Sequence, residues 1–127
     1  YSLPARSAVL RQTDVSRSVK TFADAGVDVV GVGGSTVYRA KDAKGAQHVV
    51  DEFTDETRKA FTKVEEEKIK GVPGGICLTF ATYEGATSRL TWCSVAVGRY
   101  AAEFNSSQRQ QALQGIGAAY LILKNNT

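Results

Sequence analysis

The segment from Cys77 to Val97 constrains the fold of this chain more than any other. Two β-rich runs, Cys77 to Tyr83 and Thr87 to Val97, flank Glu84-Gly85-Ala86, a short connection with turn chemistry. Let paired residue numbers sum to 170. Leu78 then faces Trp92 and Phe80 faces Leu90, all on one side of the hairpin. The other side pairs Cys77 with Cys93, Thr79 with Thr91 and Ala81 with Arg89. A slip of one residue would scatter both sets across the two faces, so this register is the one that gathers the large apolar side chains. It also brings the two cysteines together. In an oxidising compartment Cys77 and Cys93 can form a disulfide; otherwise they are two buried thiols acting as small hydrophobes.

The rest of the chain reads as β-rich around that hairpin. Val, with 14 copies among 127 residues, is twice as common as Leu. β-branched side chains suit a pleated surface better than a helix. Tyr1 to Gln12 reads as an extended arm or edge strand. A short helix starts at Thr13 or Asp14 with Val15, Val19, Phe22 and Ala23 on one face, and Gly26 caps it. Val27 to Val32 reads as a strand. Thr36 to Ala40 and Ala46 to Phe53 read as two more, joined by the loop Lys41 to Gly45. A helix is expected over Asp55 to Lys70, ended by Gly71 and Pro73. Its Glu65-Glu66-Glu67 run reads as a solvated face, since consecutive helical residues point about 100° apart and do not converge. Ser107 with Gln110 has the capping-box pattern, while Tyr120 to Leu123 suits a last strand equally well.

The fold class expected is mainly β: an antiparallel β-sandwich with one or two short helices, or alternatively an α+β fold with an antiparallel sheet, in one domain over 1–127. No apolar run approaches the roughly 18 residues a membrane span needs.

The candidate chemistry is thin. Two cysteines and one histidine without a CxxC do not make a zinc site, and no cofactor is expected. His48 with Glu52 and Arg39, on neighbouring strands of the second hairpin, is the sole acid–base cluster to consider. Gly31-Val32-Gly33-Gly34-Ser35 reads as a tight turn, because it lacks the spacing and the following helix of a phosphate loop. Arg39, Lys41, Lys44, Arg58, Lys59 and Lys63 could form a basic patch for phosphates. The net charge of +3 is modest and these residues are interleaved with acids. Sequons stand at Asn105 and Asn125. The chain starts at Tyr1 and contains no Met, as a removed secretory signal or another cleavage would leave it.

The start Tyr1-Ser2-Leu3-Pro4-Ala5-Arg6, the length and the β-rich run Ile76 to Val97 resemble the flax-rust secreted avirulence effectors recognised by L-locus resistance proteins. The resemblance covers the whole chain and rests on no short motif, so no site residue follows from it. It implies a β-sandwich with minor helices, translocation into the plant cell and direct binding by a resistance protein. It also implies no enzymatic activity, with some affinity for nucleic acid. The expectation is therefore a secreted, non-catalytic protein acting by surface recognition. A nucleic-acid binder or weak ribonuclease around His48, and a toxin or inhibitor presenting the Glu84-Gly85-Ala86 tip, are the alternatives.

Overall fold

The computed structural model of the chain describes residues 2–4, 21, 23–27, 29–31, 36–82, 85 and 87–125. Its strands are β1 (Ser2–Pro4), β2 (Val29–Gly31), β3 (Thr36–Arg39), β4 (Glu65–Lys68), β5 (Ile76–Ala81), β6 (Arg89–Val97) and β7 (Tyr100–Ser106). The long helices are α1 (Ala43–Ala60) and α2 (Arg109–Asn125). All seven strands lie in one antiparallel sheet of order β1-β2-β3-β7-β6-β5-β4. The α+β layout is thus the one present, and helices stand where a sandwich would place its second sheet.

The hairpin has the expected register: Cys77 opposite Cys93, Leu78 opposite Trp92, Phe80 opposite Leu90. Successive strand residues point to opposite faces, so the hairpin sorts the rest of the molecule. Leu78, Phe80 and Trp92 pack with Phe53 and Phe61 from α1 and the segment after it. Cys77, Cys93 and Val95 pack with Ala112, Ile116 and Ala119 of α2. The two helices therefore cover opposite faces, giving three layers.

β7 is the strand that permits this, and the sequence reading passed over it. Ala101 is buried beneath α1 and Ala102 beneath α2. Small side chains on both faces let both helices approach the middle of the sheet. Ala-Ala-Glu favours a helix locally, and pairing with β3 and β6 on both sides overrides that preference. On the α2 side the approach is close enough that a Cβ at Gly115 would stand 2.6 Å from the Phe104 ring.

Two expectations are corrected. Ala46 to Phe53 is helical, not a strand, and Lys41 to Gly45 is no hairpin loop. Asp42 caps α1, its Oδ1 accepting from the Gly45 N–H at 2.7 Å. Ala46, Val49, Val50 and Phe53, at i, i+3, i+4 and i+7, form the face that meets the sheet. The adjacent valines suggested a strand, but both are buried because a helix sandwiched on a sheet has a broad apolar face. Gly45 is needed there: a Cβ would come within 2.4 Å of the Ala25 carbonyl oxygen.

The helix expected over Asp55 to Lys70 is the end of α1 and then a different element. α1 stops at Ala60, and Glu65 to Lys68 extends as the edge strand β4. At the tail, where helix and strand were both open, Tyr120 to Leu123 is helical, inside α2. α2 begins at Arg109, with the Ala112 N–H donating to Gln108 O at 3.1 Å. Ser106 Oγ accepts from the Gln108 N–H at 3.1 Å and donates to Gln111 Oε1 at 3.2 Å.

At the other end of the chain, Ser2–Pro4 is an edge strand as expected, and Val29–Gly31 and Thr36–Arg39 fall within the strands foreseen. Gly26 closes a helical turn at φ +67°, its N–H donating to Ala23 O at 3.2 Å. The helix start at Thr13 or Asp14, the turn Val32 to Ser35 and the residues Glu84 and Ala86 lie outside the described residues.

Candidate functional site

The sulfurs of Cys77 and Cys93 are bonded, at S–S 2.02 Å, across neighbouring strands. Both residues are fully buried between the sheet and α2. Thr79 and Thr91, the next pair on that face, share a hydrogen bond of 2.9 Å.

The opposite face holds a half-buried acid that the sequence reading did not single out. Glu103 of β7 stands between Tyr38 of β3 and Trp92 of β6. The Tyr38 hydroxyl donates to Oε1 at 2.6 Å, and Trp92 Nε1–H donates to Oε2 at 3.0 Å. In register Glu103 is opposite Thr36 and Ser94. Tyr38 and Trp92 thus reach it diagonally, a span of roughly 7–8 Å that long aromatic side chains cover. Tyr38 is further fixed by Phe53 of α1, edge to face at 5.8 Å.

The carboxylate has two neutral donors and no cation among the described residues. Burial raises the Glu103 pKa above 4.5, and the hydrogen bonds from Tyr38 and Trp92 oppose that rise. Burial also raises the Tyr38 hydroxyl well above 10, with the neighbouring Glu103 charge adding to it. The acid is thus more readily protonated than a free carboxyl. It joins the three central strands through side chains alone.

The Glu65-Glu66-Glu67 run is exposed, as expected, but as an edge strand it works differently from a helical face. The alternation sends Glu66 toward α1 and Glu65 and Glu67 toward the α2 side. Arg58 of α1 holds Glu66 through its guanidinium and also reaches Asp55 at 2.9 Å. Arg109 of α2 holds Glu67 with contacts of 2.7 and 2.5 Å. Arg89 of β6 reaches Glu65 at 3.2 Å. These arginines hold the Glu66 and Glu67 carboxyls below their usual 4.5. A charged strand also blunts the open edge of the sheet. Among the described residues no group of His, Cys, Asp and Glu has a metal-holding arrangement.

The structure places the residues of the expected acid–base cluster on two different elements. His48 and Glu52 are one turn apart on α1, not on a hairpin with Arg39. His48 lines an open depression of about 420 Å³ with Asp24, Lys41, Asp42 and Lys44, and neither Glu52 nor Arg39 lines it. Its Nε2 is buried without a hydrogen bond, 3.9 Å from Asp24 Oδ2.

The basic residues are likewise divided. Arg39 lies in β3, Lys41 and Lys44 stand at the start of α1, and Arg58, Lys59 and Lys63 lie at and beyond its end. Lys44 and Arg58 are separated by about 21 Å of helix, at 1.5 Å per residue. Asn105 and Asn125 are both exposed. Gly85, at φ +82°, has open space over its Cα.

A three-layer α/β/α arrangement with one antiparallel sheet and a hairpin disulfide defines the class. The chain belongs to the family described as Domain of unknown function (DUF7373) C-terminal, which matches residues 2–126. Among solved structures it is similar to the extracellular domain of PknH from Mycobacterium tuberculosis. That likeness covers 100% of this chain and 79% of the other, with 12% sequence identity and a TM-score of 0.59. At this identity the likeness is one of fold. No curated protein matches the chain. Neither finding bears on the resemblance to flax-rust effectors.

Proposed function

We propose that this chain is a secreted or surface-exposed recognition domain that works without catalysis. The observation that supports this most is the Cys77–Cys93 disulfide, buried at the centre of one sheet face. Disulfides persist in oxidising compartments and are rare in the cytosol. The fold shared with an extracellular domain is compatible with the same location, and no helix among the described residues is long and apolar enough to cross a membrane. The placement of His48 and Glu52 on α1 and of Arg39 in β3, rather than on one hairpin, gives the ribonuclease alternative less support.

The partner class comes from the flax-rust resemblance, which names a plant resistance protein. The divided basic residues give less support to nucleic acid. The full-length protein, in intact cells of its source, should be recovered from the medium or be labelled by an amine reagent that cannot cross membranes. Protection of the protein until the cells are lysed would overturn the reading. A pull-down with a resistance protein checks the partner separately.

A further inference from the structure

A cleft of about 340 Å³ separates α1 from the connection between β4 and β5. That volume lies at the small end of the range for ligand sites. One wall is α1, presenting Gln47, Asp51 and Val50; the other carries Lys68 and the residues leading into β5. Val50, Val72 and Ile76 give it an apolar lining.

Two opposite charges line this cleft without meeting. Asp51 Oδ1 accepts from Gln47 Nε2 at 2.9 Å, and among the described residues no ion pair engages Asp51 or Lys68. Lys68 faces the α1 side because it stands opposite Ile76 in register, and Ile76 packs with the clusters under α1.

The wall opposite α1 is built in advance of any ligand. The Val72 N–H donates to Ile69 O at 3.2 Å, and the Gly75 N–H to Val72 O at 3.0 Å. Gly71 and Gly74 hold φ values of +79° and +77°, where glycine is the residue that fits without strain. A Cβ on Gly74 would meet nothing within 4 Å, so its backbone is open to close approach. Gly75 is packed instead, with Val72 Cγ1 2.7 Å from where a Cβ would stand.

We infer that this cleft binds a short peptide with free termini, its ammonium at Asp51 and its carboxylate at Lys68. A ligand that satisfies both charges and covers the apolar lining carries an ammonium and a carboxylate joined by an uncharged stem. A di- or tripeptide of small residues has that form. The charge-assisted hydrogen bonds at its ends supply orientation, and the apolar lining supplies contact. The inference extends the recognition reading, but its test is independent of compartment and of any protein partner.

The test is a titration of the isotope-labelled chain with trialanine, followed by amide chemical shifts. Saturable shifts are expected at Val72, Gly74, Gly75 and Asp51. Trialanine acetylated and amidated at its ends should bind roughly tenfold more weakly or worse, having lost both charges. Lys68→Ala and Asp51→Asn should each weaken the free peptide similarly while leaving the spectrum elsewhere unchanged, since both side chains are exposed. No shifts with trialanine, shifts elsewhere, or equal binding of the blocked peptide would each overturn the proposal. Free alanine binding as tightly would overturn the peptide as occupant.

Discussion

Replacing Cys77 and Cys93 together by alanine is expected to lower the unfolding free energy by about 3 kcal/mol, the value for a closed loop of about fifteen residues. The two cysteines are 16 residues apart, and the bond restricts the unfolded chain to conformations in which the hairpin ends stay close. The fold itself should survive, because Leu78, Phe80, Leu90 and Trp92 fix the same register through their own packing. Urea unfolding followed by the fluorescence of Trp92 measures the loss directly. A loss below about 1 kcal/mol would show that the unfolded hairpin is already restricted without the bond. In the unaltered protein the sulfurs are fully buried, so reductant should act only through opening of the structure.

Glu103→Ala should destabilise the protein from the opposite face. It leaves the Tyr38 hydroxyl and the Trp92 indole N–H without their acceptor, at about 1–3 kcal/mol for each donor left unpaired. Glu103→Gln keeps an amide oxygen for one of them and removes the half-buried charge, so it should be the more stable variant.

The two also differ from the parent in pH dependence. The Glu103 pKa is raised in the folded state. Below 4.5 the group is protonated in both states and its linkage costs nothing. As the pH rises from 4.5 through the higher folded value, the unfolded chain releases its proton first, and stability falls. Above that value the loss is constant. Glu66 and Glu67 act in the opposite sense: their pKa values are lowered, so their contribution is present above 4.5 and fades as the pH falls. Being exposed, they contribute little. The stability difference between the parent and Glu103→Gln therefore isolates the half-buried acid. It should move in favour of the glutamine variant as the pH rises above 4.5. A flat difference, or a Glu103→Ala variant as stable as the parent, would contradict this account of Glu103.

How far the fold could be read from the residues depended on what fixes each element. The Cys77–Val97 hairpin was legible because two faces, one bulky and one carrying sulfur, agree on a single register. The α1 helix was missed at its start because Val49 and Val50 are strand formers in isolation; the Asp42 cap and the Ala46–Phe53 spacing carry the helical signal. Glu65 to Lys68 looked helical because glutamate and lysine favour helices, whereas pairing with β5 makes the segment an edge strand, and arginines from α1, β6 and α2 partner its glutamates there. Those partners are distant in sequence, the farthest being Arg109, and no local pattern announces them. Glu103 was invisible for the same reason. A glutamate in Ala101-Ala102-Glu103 reads as surface until β3 and β6 close around it and supply Tyr38 and Trp92. The cleft beside α1 required the helix and the β4–β5 connection to be placed before Asp51 and Lys68 could be seen to share it.

The proposed function requires this domain to fold in an oxidising compartment. The most direct test traps the thiol state of the protein at the moment it is harvested from the cell that makes it, using an alkylating reagent under denaturing conditions, and weighs the product. Neither Cys77 nor Cys93 is expected to take up the reagent until the denatured protein has been reduced, after which both do. Two alkylated cysteines without prior reduction would contradict it.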